Sequence, residues 1–232
     1  ADNSTTYMSF FSQMDTYGDG YAGIGVWRAA FKPLVDRIAD TDIRLQWFCC
    51  DRSTGVTDAS GNRITLIRDT QSPVAVEYQA VKFIGTGRDN IKAGVFSGWE
   101  LGDYIYLRSE EAYMIKMEAL AHKSSAEAVT ELNSFMKTRQ PDYNYTFTNK
   151  ADLIEEIIYQ KRVEFWGEGL EYIDNRRLNI PVDRTDETWG AENNNHFSAG
   201  KFRYNQEDRP FLYQLPLSEI ENNSQLSPSD QN

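Results

Sequence analysis

Three stretches in the middle of the chain repeat apolar residues at every third or fourth position. They cover residues 103–122, 125–139 and 150–166, and only short or turn-rich links separate them. Such spacing places the apolar side chains on one face of an α-helix. Asn149 directly precedes the third stretch, where its side chain can cap the first turn. The pattern predicts a helical hairpin followed by a third helix.

The first predicted helix carries two glutamates on the face that should be apolar. The stripe on the helical wheel consists of Leu107, Glu111, Met114, Glu118 and Ala121, with Ile115 and His122 beside it. A carboxylate buried without partners costs several kcal/mol. Glu111 and Glu118 therefore need bonding partners or a cavity to face, and the stripe alone leaves catalysis, metal binding and architecture open.

The flanking parts of the chain lack a sustained helical period. Residues 26–42 predict one helix with Pro33 near its start or at a break, and residues 43–70 predict a short hairpin. We therefore predict three parts of one structural unit. They are an irregular, loop-rich part over 1–102, a helical scaffold over 103–180, and a loop with a packed C-terminal tail over 181–232.

Composition narrows the classes of function. The 232 residues are 40% hydrophobic, which fits a soluble globular protein, and the net charge is -11. An acidic chain repels nucleic acid and anionic membranes, so we expect neither as a partner. No run approaches the roughly 18 apolar residues of a membrane helix. The start lacks the basic and apolar regions of a signal peptide, so we expect a cytosolic protein or one whose export signal was removed.

Residues for metal or nucleophilic chemistry are scarce. The histidines are His122 and His196, and the adjacent Cys49 and Cys50 are poorly placed for a mutual disulfide. The stretch from Asp15 to Val26 resembles a calcium loop but lacks oxygen ligands at required positions. No G-x-S-x-G motif occurs. We predict no metal, no cofactor and no nucleophilic hydrolase.

Two pairs of helical carboxylates invite a catalytic interpretation. Glu111 with Glu118, or Glu164 with Glu168, could act as the acid and base of a glycosidase. Neighbouring cations favour internal salt bridges instead. These cations are Arg108, Arg162, Arg176 and Arg177.

Aromatic residues in irregular segments are candidates for binding sugars. The chain has 5 Trp and 13 Tyr, most of which we expect in the core. Tyr17, Tyr21, Trp27 and Trp189 lie in the least regular segments, where a ring can stack on the apolar face of a pyranose. Trp27 could instead anchor the helix that follows it. We predict these four residues as a glycan platform.

Three ordered motifs resemble the SusD/RagB family. "RSEEAYMIKMEA" is similar to its Arg-x-x-Glu helix, and the matching residues are Arg108, Glu111, Met114, Glu118 and Ala119. "KRVEFWGEGLEYIDNRR" is similar to its Glu-Gly segment, matched by Glu164, Phe165, Glu168, Gly169, Asp174 and Arg177. "LPLSEIENNSQLSPSDQN" resembles its closing segment, matched by Pro216, Glu219, Ile220, Asn222 and Asn232.

The chain also departs from the family pattern. Gln160 and Lys161 stand where a Glu-Arg pair is usual, and Glu171 replaces an arginine. The resemblance therefore implies a rearranged internal ion-pair network. It covers the C-terminal half of typical members, which implies a chain that is part of a longer protein.

The resemblance implies a fold and a function. The fold is mostly α, with tetratricopeptide-like helical hairpins and a loop-rich, partly β subdomain. The function is non-enzymatic capture of glycans at the surface of Bacteroidetes-type bacteria. The full-length protein would be an outer-membrane lipoprotein partnered by a TonB-dependent transporter of the SusC type. It would touch the membrane only through a lipid anchor outside this chain, which is itself soluble.

In this interpretation the motif glutamates tie helices together and loops bind ligand. The first alternative is a helical-repeat module that binds protein partners without glycan affinity. The second is a glycoside hydrolase that uses the helix carboxylates.

Overall fold

The computed structural model describes residues 29–49, 78–80, 82, 106–208, 212 and 214–230. The chain divides into two compact units, Ala1–Gly167 and Glu168–Asn232. The three parts predicted from the sequence, with bounds at residues 102 and 180, stay a prediction.

The first unit contains the three predicted helices. They are α2 (Ser109–Lys123), α3 (Ser125–Met136) and α4 (Lys150–Glu164). Ser124 alone separates α2 from α3, with extended backbone that ends one helix and begins the next. Asn149 accepts a hydrogen bond from the Asp152 N–H at 3.0 Å, so the predicted cap of α4 is confirmed.

Ahead of the helices lie shorter elements. They are α1 (Lys32–Asp36), a 3₁₀ turn (Ile43–Trp47) and the strand β1 (Phe48–Cys49), which pairs antiparallel with β2 (Gln79–Ala80). The helix predicted over residues 26–42 is therefore too long. Phe31 is extended, and Pro33 sits at the start of α1, where its missing N–H costs no helical bond. The backbone N–H of Ala30, before the helix, donates to the backbone oxygen of Tyr78 at 2.8 Å.

The structure describes only residues 43–49 of the predicted hairpin over residues 43–70, so the hairpin stays a prediction. Residues 43–47 form the 3₁₀ turn, and β1 pairs with residues 79–80. The turn sequence around Gly61 lies outside the described residues.

Helix α4 joins two parts of the core. One part is the seam of the three helices, where Met114, Met117, Leu132, Met136, Leu153 and Ile157 are at most 1% exposed. The other contains Val35, Leu45, Phe48, Ala80, Tyr159 and Val163. Because α4 is covered on several sides, it has no single apolar face opposite a polar one. It buries polar residues as well as apolar residues.

The second unit is built from short elements. They are α5 (Leu170–Leu178), β3 (Val182–Asp183), α6 (Asp186–Trp189), a 3₁₀ turn (Ser198–Gly200), β4 (Arg203–Tyr204), α7 (Leu217–Asn222) and a last turn (Pro228–Asp230). Strands β3 and β4 pair antiparallel, with Val182 opposite Tyr204. The long segment between them is closed at its base by this ladder.

Candidate functional site

Glu164 at the end of α4 is the centre of a buried ion-pair cluster. Its side chain is 2% exposed and meets three arginines. Arg108 and Arg139 donate to Oε1 at 3.0 and 3.2 Å. Arg44 and Arg139 donate to Oε2 at 3.4 and 3.3 Å. One carboxylate therefore ties the 3₁₀ turn, the start of α2 and the end of α3 to α4.

Further acidic groups balance the arginines. Arg44 is 1% exposed and makes a 2.7 Å ion pair with Asp42, and Arg139 lies 3.4 Å from Glu110. Arg44 also donates to the side-chain oxygen of Gln160 at 2.5 Å. Each buried charge thus has an opposite charge and a hydrogen bond, the condition under which a protein interior tolerates ions.

The electrostatics of Glu164 do not suit a general acid. Burial opposes its ionisation, but the hydrogen bonds and charges of Arg139, Arg44 and Arg108 outweigh burial and hold its pKa below the ordinary value. A glycosidase acid needs a raised pKa and access to substrate. This environment fits an architectural role.

The partners predicted from the sequence differ from the ones observed. The guanidinium of Arg108 pairs with Glu164 and Glu110, and Arg177 pairs with Asp174 at 2.7 Å. Reasoning from sequence missed Arg44 and Arg139 altogether. The only signal for them was that a buried carboxylate needs cations, and the pattern could not say which ones.

The predicted stripe on α2 is right in part, since Met114, Glu118 and Ala121 are buried. Glu118 is buried at 7% exposed and Glu111 is half-buried, whereas Leu107 and Ile115 are 69% and 54% exposed. Met117 takes the inward position instead, because it lies three residues after Met114 and four before Ala121. Glu111 therefore stands at the margin of the helix seam.

The second family-like segment is the start of α5. Gly169 has φ of +84°, a left-handed conformation that glycine adopts without steric cost. Glu168, which precedes it, is half-buried. Asp174 is 4% exposed and accepts from Arg177 Nε at 2.8 Å. These residues shape the entry into α5 and its buried face.

Trp189 is the candidate platform residue that the structure describes. It ends α6 with 37% of its surface exposed, and its ring Nε1 donates to the backbone oxygen of Asp183 at 2.9 Å. That bond fixes the edge of the ring. The predicted Tyr17, Tyr21 and Trp27 lie outside the described residues.

Asp183 fixes the base of the segment that carries Trp189. Its carboxylate accepts from the hydroxyls of Thr185 and Thr188 and from Arg203, each at 2.7 Å. Burial opposes ionisation, but these bonds lower the pKa of Asp183 to about 2. The carboxylate is therefore charged at neutral pH and holds β3, α6 and β4 together.

A second set of bonds closes the rest of the segment, which we call the Trp189 loop (residues 183–204). Lys201 bonds both oxygens of Asp186 at 2.7 and 2.8 Å. Asn194, 6% exposed, donates to Asp186 at 2.8 Å and to the Arg184 backbone oxygen at 3.0 Å. The loop is thus braced by polar bonds rather than by an apolar core.

The same loop presents a second ring. Phe197 is 75% exposed, and its ring packs beside Gly200. A Cβ atom added at Gly200 would lie 3.3 Å from the nearest carbon of that ring. Phe202 and Tyr204 form a further ring pair with centroids 4.9 Å apart. An exposed aromatic surface on a braced polar loop is suited to stacking against sugar rings.

No group of three or more His, Cys, Asp and Glu in the described ranges is arranged to hold a metal ion. None of the described helices is long and apolar enough to cross a membrane.

The comparisons place this architecture in a family. Residues 78–232 match the model of the SusD family, which is more than half of the chain. The chain belongs to the SusD family. A search of the curated proteins gives no match.

A solved structure shares the fold. It is a SusD-like carbohydrate binding protein from Bacteroides vulgatus ATCC 8482, 21% identical in sequence, with a TM-score of 0.61. The match covers 97% of this chain and 46% of that one, so the chain spans about half the length of the solved relative. The predicted family and the mostly helical, SusD-like fold are confirmed.

Proposed function

We propose that this chain binds glycans without catalysing a reaction on them. The observation that carries the proposal is the Trp189 loop, in a chain of the SusD family whose solved relative is described as carbohydrate binding. Trp189 is fixed through its ring nitrogen, and Phe197 exposes most of its ring nearby in sequence. A preformed platform loses little conformational entropy when a sugar stacks on it.

The proposal extends to the whole protein. The longer protein would be a surface lipoprotein of the outer membrane that delivers glycan to a TonB-dependent transporter of the SusC type. Family membership supports this setting. Tyr17, Tyr21 and Trp27 remain proposed contributors to the platform.

Replacing Trp189 tests the platform. Trp189→Ala should weaken oligosaccharide binding about fivefold, because an aromatic stacking contact contributes on the order of 1 kcal/mol beyond its buried area. Binding is measured by calorimetry with maltohexaose, xylohexaose, mannohexaose and chitohexaose. The melting temperature should fall by only a few degrees, because 37% of the residue is exposed and the hydrogen bond from the ring to the Asp183 backbone oxygen contributes only modestly to stability.

Tyr172→Ala is the matched control. Tyr172 lies in the same unit with a similar 40% exposure but outside the Trp189 loop, so its removal should leave affinity unchanged. Equal affinities of Trp189→Ala and the wild type would remove the platform from this loop. Reducing ends released from any of these oligosaccharides by the pure protein would contradict a non-catalytic role.

A further inference from the structure

A cleft of about 400 Å³ lies in the first unit beside the ion-pair cluster of Glu164, since Asp42 and Gln160, which both bond Arg44, also line the cleft. One wall comes from the segment that follows α1, one from the connection between α3 and α4, and the floor from α4 itself. Its size is at the lower end of the range typical of small-molecule sites. Its lining combines tyrosine rings with carboxylate and amide groups.

Three tyrosines line the cleft: Tyr143, Tyr145 and Tyr159. Tyr143 and Tyr159 are 9% and 8% exposed. The guanidinium of Arg37 stacks over the Tyr159 ring at 3.9 Å. Aromatic faces beside polar groups are the usual composition of a carbohydrate pocket, since a sugar ring has an apolar face and a polar edge.

The floor of the cleft is an ordered polar network around Glu156. This carboxylate accepts from the Tyr143 hydroxyl at 2.8 Å, from Gln160 Nε2 at 2.7 Å and from Arg37 at 2.6 Å. Gln160 in turn accepts from the buried Arg44. The donors and acceptors of the floor are therefore held in place before any ligand arrives.

Tyr145 shows a hydrogen-bonding capacity that folding leaves unused. Its hydroxyl is buried without a hydrogen-bond partner. The backbone around it cannot easily adjust, because Asn133 accepts from the Tyr145 N–H at 2.6 Å and donates to its carbonyl at 3.0 Å. A buried hydroxyl without a partner is costly, so it calls for an explanation.

The charges of the lining select the kind of ligand. Asp42, Asp142 and Glu156 outnumber Arg37 in the cleft, which disfavours an anion. Each carboxylate already has a partner: Arg44 for Asp42, Thr41 for Asp142 and Arg37 for Glu156. A cation would have to displace those bonds. A neutral molecule with many hydroxyl groups can instead add to them.

We propose that this cleft is a second saccharide subsite, which takes the end of a neutral glycan or a short neutral saccharide. The proposal rests on the glycan-binding function proposed above and adds a separate place where sugar binds. The exposed edges of Tyr143 and Tyr159 supply a small apolar surface, since Arg37 covers a face of the Tyr159 ring. Glu156 and Asp142 accept sugar hydroxyls, and Tyr145 contributes the hydroxyl that has no partner in the protein.

The test uses Tyr145→Phe in the full chain. Because the hydroxyl has no partner, its removal should leave the melting temperature unchanged or higher. Affinity for neutral saccharides should fall about fivefold if the hydroxyl bonds the sugar. The probes are maltose, cellobiose, lactose and xylobiose in NMR titrations that follow the amides of residues 140–145. Tyr113→Phe, an exposed tyrosine on α2, is the control and should bind as the wild type does.

The outcomes separate this subsite from the Trp189 platform. Weaker disaccharide binding by Tyr145→Phe with normal stability supports the cleft. If Trp189→Ala loses affinity while Tyr145→Phe binds every saccharide normally, the cleft proposal fails and the glycan-binding function stands. If the wild type binds no saccharide, both fail. Binding of tetramethylammonium but no sugar at residues 140–145 contradicts a neutral ligand.

Discussion

Glu164→Gln is expected to lower the free energy of unfolding by about 3–5 kcal/mol, the usual cost of removing one partner from a buried ion pair. The change keeps the size of the side chain but leaves Arg44, Arg108 and Arg139 facing a neutral group in a buried site. Urea unfolding at neutral pH measures it. A loss below about 1 kcal/mol would contradict the role assigned to the cluster.

The loss should also depend on pH. The native interactions lower the pKa of Glu164 relative to the unfolded chain. Its contribution to stability is therefore full above the unfolded carboxyl pKa and disappears as the pH falls through the lower native pKa. The gap between the wild type and Glu164→Gln should close in acid. Glu155→Gln is the control, because that exposed carboxylate lies 3.6 Å from Arg37 and should contribute less than about 1 kcal/mol.

Phe48→Ala is expected to lower the free energy of unfolding by about 3–5 kcal/mol, through lost burial and the cavity left behind. Phe48 is 0% exposed, and its ring meets Trp166 edge to face with centroids 5.7 Å apart. It joins β1 to the end of α4. Thermal and urea unfolding of the variant measure the effect.

Ile43→Ala is the control for this substitution. Ile43 lies in the adjoining 3₁₀ turn but is 57% exposed, so its loss should change stability by about 0.5 kcal/mol or less. Similar losses in the two variants would mean that Phe48 does not anchor the segment before the helices.

The long helices could be predicted from the sequence because their signals are local. A period of three to four residues and the cap at Asn149 placed α3 and α4 within three residues of their ends, whereas the predicted start of α2 at residue 103 lies six residues before Ser109. The helix predicted before them, over residues 26–42, is longer than the observed α1. Its start depends on Pro33 and on the bond from Ala30 to Tyr78, and a pairing so distant in sequence leaves no periodic trace.

The ion-pair cluster shows the same limit. The sequence predicted salt bridges of Glu164 with arginines close to it along the chain, but Arg44 and Arg139 reach it only after the chain folds. The family pattern expects a charged pair at residues 160 and 161. Here the neutral Gln160 accepts from Arg44 and donates to Glu156, so one amide links the cluster to the cleft.

The candidate sites were predictable in part. Trp189 stood out as an aromatic residue in an irregular segment, and the structure explains how its ring is fixed. The cleft was not predicted. Tyr143 and Tyr145 belong to a connection between helices, whereas Arg37 and Asp42 come from a distant segment, so only the packing of α4 brings them together.

The most direct test of glycan binding through the Trp189 loop is an NMR titration of the isotope-labelled chain. The probe is whichever of the four hexasaccharides binds most tightly in calorimetry. We expect shifts of the Trp189 indole resonance and of amides in residues 183–204, with saturation at the calorimetric stoichiometry. Tight binding that leaves the resonances of residues 183–204 unchanged would contradict glycan binding through this loop.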